Sequence, residues 1–191
     1  MITKNGNRRE KDSVFRMLFN EKTALLSLFN AVNNTDYPNP EDLKVTTLEN
    51  AVYLTIKNDL SCLINTRLGL FEHQSTINPN MPLRYLQYVS DLFERDYITR
   101  RIYTKRRIRL PRPVFITFYN GVENQPERKE LKLSDLYETE GASGEINLEL
   151  VSVQLNINPG YNEDLKCRCS LLGEYTEFVE RVRIYKKGNA V

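Results

Sequence analysis

The sequence is poor in the residues that build zinc sites. Its three cysteines, Cys62, Cys167 and Cys169, form no CxxC pair, and His73 is its one histidine. A structural zinc site is therefore not expected. Cys62 sits in an apolar run and reads as a reduced core residue. No apolar run approaches the roughly 20 residues of a membrane helix. The polar start, Met1 to Glu10, has no signal-peptide pattern and is expected to be flexible. A reducing cytoplasm is the expected compartment, with no membrane partner. There is no internal repeat. There is also no large charge excess: the net charge of +2 does not by itself imply nucleic acid.

What is present is the composition of a soluble globular protein, with 40% hydrophobic and 27% charged residues over 191 positions. That length suits one domain, residues 1–191, burying roughly 70% of the surface its unfolded chain exposes. Asp12-Ser13 can cap a helix carrying Val14, Phe15, Leu18 and Phe19, and a second helical pattern runs from Thr23 to Val32. Val45 to Ile56 reads as a first strand. Leu60–Ile64 and Leu68–Phe71, separated by Asn65-Thr66-Arg67, read as a buried hairpin. Leu83 to Tyr97 is an amphipathic helix, with Leu86, Val89, Leu92 and Phe93 inward. Val114 to Tyr119 reads as a central strand buried on both faces. Residues 123–144 are a polar excursion, with a short helix at Leu133 to Tyr137. Ile146 to Ile157 is another strand. Residues 161–187 are helical, broken near Gly173. The class is α/β, a mixed β-sheet flanked by α-helices.

The hairpin carries charge where its pattern is apolar. Asp59 stands at its entrance, and Glu72 and Gln74 lie inside its second strand. A carboxylate in an apolar strand must be paired or bind a cation. Side chains two apart share a face, so Glu72 and Gln74 point one way and His73 the other. Asp59 joins that face in two registers. Facing Glu72, it puts Ile64 opposite Arg67 around an Asn65-Thr66 loop. Facing Gln74, it leaves a Thr66-Arg67 loop. Neither dipeptide is a favoured two-residue turn. Two carboxylates converging there would suit a hard divalent cation, magnesium or manganese, held by oxygen ligands. Gln74 carries no charge and cannot act as a base, but it can orient a water or a phosphate oxygen. The competing reading is a solvent-facing strand on which Glu and Gln recur without function.

Between Arg100 and Arg112 the chain has seven cations and no acid: Arg100, Arg101, Lys105, Arg106, Arg107, Arg109 and Arg112. Such a run can track a phosphate backbone, or it can be a solvated loop or a charge-protected edge. Arg84 can reach a phosphate near the hairpin, or it can pair with Asp91 or another acid. Asp12 can approach the site, though its commoner role is a cap. Tyr119 and Asn120 can sit near the sheet's active edge. Tyr85, Tyr88, Tyr97 and Tyr103 read as packing residues rather than base-stacking ones.

An ordered set of motifs resembles the PD-(D/E)xK nuclease superfamily, and within it the recombination-promoting nuclease (Rpn) and putative transposase family. The set is Asp12-Ser-Val-Phe-Arg-Met-Leu-Phe19, Leu25-Leu-Ser-Leu-Phe-Asn-Ala31, Asn58-Asp59-Leu-Ser, Phe71-Glu-His-Gln-Ser75, Asn80-Met-Pro-Leu-Arg84, Phe118-Tyr-Asn-Gly-Val122 and Leu155-Asn-Ile-Asn-Pro-Gly-Tyr161. It covers nearly the whole chain. The resemblance implies a restriction-endonuclease-like core and a magnesium-dependent DNA endonuclease acting in recombination, mobile-element biology or defence. Asp59 and Glu72 would be the metal carboxylates and Gln74 the third catalytic residue. Many superfamily members carry lysine where Gln74 stands, so a catalytically weak DNA-binding protein on the same fold is the alternative. Members of the closer family often continue with further helices, so the chain would correspond to a shortened version or a minimal core. DNA is the expected partner, with Arg84, Arg100, Arg101, Lys105, Arg106, Arg107 and Arg109 as its contacts. Cutting both strands takes two sites, so a homodimer is expected. A protein inhibitor is left open.

Overall fold

The structure, a computed structural model, describes residues 14–47, 60–98, 101–142, 145 and 147–188. Its frame is a six-stranded mixed sheet flanked by helices. The strands are β1 (Leu43–Val45), β2 (Leu60–Ile64), β3 (Arg67–Gln74), β4 (Arg112–Tyr119), β5 (Arg128–Lys132) and β6 (Val151–Asn156), in the spatial order β1-β2-β3-β4-β6-β5. β3, β4 and β6 run parallel, and the other pairings are antiparallel. The helices are α1 (14–19), α2 (Lys22–Asn33), α3 (Met81–Asp96), α4 (Glu163–Arg168) and α5 (Ser170–Gly188). Among the described residues no helix is long and apolar enough to cross a membrane.

Strand parity divides the core in two. The odd residues of β3, Gly69, Phe71 and His73, face α1, α2 and α5. There Phe71 packs with Phe15, Phe29, Leu60, Phe118 and Val179. The even residues Leu68 and Leu70 face α3, against Met81, Tyr85, Tyr88 and Leu92. β4 repeats the division, with Phe118 on the first side and Phe115 on the second. Parallel strands need a crossover, and α3 provides it between β3 and β4. Gly69 is a packing requirement: a Cβ there would lie 2.8 Å from the ring of Phe71.

The hairpin adopts the first of the two registers, with Ile64 opposite Arg67 and Leu60 opposite Phe71. Asn65 takes a positive φ of 52°. The primed hairpin turns require φ > 0 at their first central position, and asparagine tolerates it better than most residues. This accounts for an Asn-Thr loop that is otherwise uncommon.

Several expectations change. The first described strand is Leu43–Val45, and most of the expected Val45 to Ile56 strand, from residue 48 on, lies outside the described residues, as does the Asp12-Ser13 cap. The 123–144 excursion contains an edge strand, β5, and the short helix is a 3-10 turn over Leu133–Leu136. β5 is mostly exposed, and its charged residues suit a sheet edge. The last strand is shorter than expected, starting at Val151. The C-terminal helices break at Cys169, whose side chain is buried in the core, and Gly173 lies inside α5. The inward face of α3 is led by Tyr85 and Tyr88, with Leu86 and Phe93 only partly buried. Cys62 is buried and free, and burial pushes its thiol up to about 12.

Candidate functional site

The polar side chains expected on one face of β3 form part of a wider row. In register across the sheet, Glu72 lies beside Thr117 of β4, and Thr117 beside Gln154 of β6. All three are nearly inaccessible. One step on, Gln74, Tyr119 and Asn156 form a second row. Both rows sit at the carboxyl ends of three parallel strands, where open α/β sheets bind their ligands.

Helix α3 covers the first row. Pro82 fits the helix's first turn, where its missing N–H costs nothing. Buried Tyr85, Tyr88 and Met81 hold the helix against the sheet. Tyr85 donates its hydroxyl to the carbonyl of Ile116 at 2.6 Å and lies 3.1 Å from the Thr117 hydroxyl. Arg84 then projects over Glu72. Its Nη2 donates to Glu72 Oε2 at 3.0 Å and to the Tyr88 hydroxyl at 2.7 Å. Its Nε also donates to that hydroxyl, at 3.2 Å. Glu72 is 1% exposed and Arg84 32%, so the pair joins a buried carboxylate to a cation at the surface. Arg84 therefore pairs with Glu72, not with Asp91. Asp91, on the same helix, has one buried carboxylate oxygen without a hydrogen-bond partner among the described residues. Burial, and secondarily the charge of Glu94, holds its carboxyl above the usual range.

His73 lies on the opposite face, as parity required. Its ring stacks on Phe15 with centroids 5.0 Å apart, and Nε2 is 3.0 Å from the Tyr175 hydroxyl. Gln74 is half-buried on the Glu72 face. Asp59 lies outside the described residues. Tyr119 and Asn120 are held in structural contacts. The Tyr119 hydroxyl bonds the backbone of Glu123, and Asn120 Oδ1 accepts from Arg183 at 3.4 Å. A cleft of about 430 Å³ opens beside them, lined by Gln125, Asn156, Asn158 and Arg183 among others.

The basic stretch leads from α3 into β4. Arg100 lies outside the described residues, and Arg101 opens a 3-10 turn, Arg101–Tyr103. Lys105, Arg106, Arg107 and Arg109 are exposed, as is Arg112 at the start of β4. Tyr85 and Tyr88 pack as expected and Tyr97 meets Phe93 edge-on, but Tyr103 does not pack and is 88% exposed.

The α3 face offers hard oxygen donors, with the single imidazole on the other side. Glu72 and Gln74 supply a carboxylate and an amide oxygen, a set that fits magnesium or manganese better than a soft metal. A cation binding Glu72 would share or displace the Arg84 guanidinium. Among the described residues no group of three His, Cys, Asp or Glu side chains is placed to hold a metal ion. Thr117 and Gln154 did not figure among the candidate site residues, and Tyr88 figured only as a packing residue. Thr117 within an apolar strand was the available signal. Compared with models of known families, with curated proteins and with solved structures, the chain matches none.

Proposed function

We propose that this chain is a metal-dependent DNA endonuclease with a PD-(D/E)xK-like core, hydrolysing phosphodiester bonds by water attack. The observation that carries the reading is Glu72, a carboxylate 1% exposed at the end of a parallel strand, with Gln74 on its face. The hairpin register, with Ile64 opposite Arg67, is one of the two that the pairing of Asp59 with this face requires. Glu72, with Asp59, would hold the magnesium or manganese ion. That ion would lower the pKa of a bound water and neutralise charge on a phosphoryl oxygen. Gln74 can accept and donate hydrogen bonds but takes no proton, so its part is to orient the water or a phosphate oxygen. Arg84 keeps Glu72 charge-balanced without metal, and its exposed edge can then meet a phosphate. Lys105, Arg106, Arg107 and Arg109 hold the backbone.

A second reading is favoured by the Glu72–Arg84 pair. A carboxylate already satisfied by a guanidinium, with glutamine in place of a catalytic lysine, suits a DNA-binding protein that keeps the fold and little catalysis. One experiment separates the two. Supercoiled plasmid is incubated with the protein in magnesium or manganese, beside Asp59→Ala and Glu72→Ala. Cleavage by the parent that is lost in both variants supports the nuclease. Undiminished cleavage in either variant removes these carboxylates from the chemistry. Salt-sensitive DNA binding without cleavage by the parent favours the second reading.

A further inference from the structure

We infer that the arm between α3 and β4 is a binding site for single-stranded DNA, in which Tyr103 stacks on an unpaired base while the flanking cations hold the phosphates. The inference rests on the proposed reading only in taking DNA as the ligand.

The chain treats its tyrosines very differently. Tyr85, Tyr88, Tyr119 and Tyr175 are fully buried, and their hydroxyls lie within hydrogen-bonding distance of other groups. Tyr97, at the end of α3, is half-buried against Phe93. Tyr103 is 88% exposed, and its neighbour Ile102 is 50% exposed. A large ring normally covers apolar surface and leaves only its hydroxyl wet. Tyr103 leaves the ring itself in water. It stands on the Arg101–Tyr103 turn, two residues before Lys105 and three before Arg106. Among the described residues none of Lys105, Arg106, Arg107 and Arg109 is in an ion pair.

Cations beside an open aromatic ring are the two components of a single-strand site. The cations follow the backbone, and the ring takes the face of a base. A duplex satisfies only the first component. Its base faces are stacked on one another, and opening a step costs a few kcal/mol. Tyr103 therefore discriminates in favour of unpaired bases, while the cations serve both forms.

The test uses the full chain in EDTA, so that binding is read without cleavage. The probes are a fluorescein-labelled thymidine 20-mer and a labelled mixed-sequence duplex of equal length. Tyr103→Ala should weaken binding to the single strand by about tenfold, the worth of one stacked base. It should leave duplex affinity within about twofold and the salt slope unchanged. Tyr103→Phe, which keeps the ring, should bind as the parent does. The double variant Arg106→Ala/Arg107→Ala should instead flatten the salt slope on both probes. The inference falls if Tyr103→Ala leaves single-strand affinity unchanged or weakens both probes equally. It also falls if Tyr103→Phe binds as poorly as Tyr103→Ala, or if the parent does not bind the single strand. Absence of plasmid cleavage in magnesium would count against the nuclease reading alone.

Discussion

Glu72 and His73 are adjacent in the chain, equally buried, and opposite in circumstance. His73 lies among the rings of Phe15, Phe118 and Tyr175, with the neutral Tyr175 hydroxyl 3.0 Å from its Nε2. Glu72 looks toward α3, where its charge is met by Arg84, itself a third exposed. The first face buries polarity by surrounding it with rings. The second face keeps an ion and leaves it a route to water. A carboxylate held that way costs desolvation and returns little stability. Under the proposed function this buried ion is the working group, and the rings around His73 are packing.

The contrast can be broken most sharply at Phe15. Its ring is fully buried and touches Phe19, His73, Phe118 and Tyr175. Phe15→Ala should cost about 3–5 kcal/mol of unfolding free energy, the usual range for such a cavity. Urea denaturation gives the value. Plasmid cleavage, or DNA binding, per folded molecule should be unchanged. A loss of function at full folding would mean that the His73 face is more than scaffold.

Arg84 gives the next largest effect. Arg84→Met keeps most of the side chain's bulk and removes the charge, leaving the Glu72 carboxylate without its guanidinium. The expected loss is roughly 2–3 kcal/mol, below the 3–5 of a fully buried pair because Arg84 is partly solvated. Adding Glu72→Gln should recover most of it, since the carboxylate that lost this guanidinium is then gone. Denaturation of the two single variants and the double variant closes the cycle. If Arg84→Met is as stable as the parent, the ion pair is incidental, and the two faces differ less than the geometry suggests.

How much of this was readable from the chain depends on how local each feature is. The apolar run Val114 to Tyr119 announced a central strand, and β4 is central, between β3 and β6. Parity alone separated Glu72 and Gln74 from His73. The choice of register was not readable, because it turns on the positive φ of Asn65, which composition does not dictate. β5 was invisible for a different reason. Arg128-Lys-Glu-Leu-Lys132 has no strand pattern of its own, and it is a strand because β6 offers it a ladder. The Glu72–Arg84 pair needed tertiary knowledge as well. Parity says that Glu72 leaves the sheet on the even side, but not that α3 lies there with Arg84 above it. Tyr85, Tyr88 and Tyr103 are the same residue type in neighbouring segments. Helical periodicity buries the first two, and no comparable rule describes an arm.

The smallest expected effect tests whether the α3 face carries charge beyond its ion pair. Asp91 lies on α3, one turn after Tyr88, with a buried oxygen lacking a partner among the described residues. Burial chiefly, and the nearby charge of Glu94, raises its pKa. A carboxyl raised on folding is penalised when ionised. Its contribution to stability is fully present below the unfolded pKa and is lost as pH rises through the folded one. At neutral pH the parent therefore carries the penalty, and Asp91→Asn should be more stable by roughly a few tenths of a kcal/mol. As pH falls through the upper part of the carboxylate range, Asp91 takes up its proton and the advantage should vanish. Urea denaturation of parent and variant, in neutral and acidic buffers, reads the difference directly. An advantage independent of pH would trace to packing rather than charge. A neutral-pH loss would mean that the Asp91 carboxylate is used, and would make the α3 face more thoroughly ionic than the pair alone indicates.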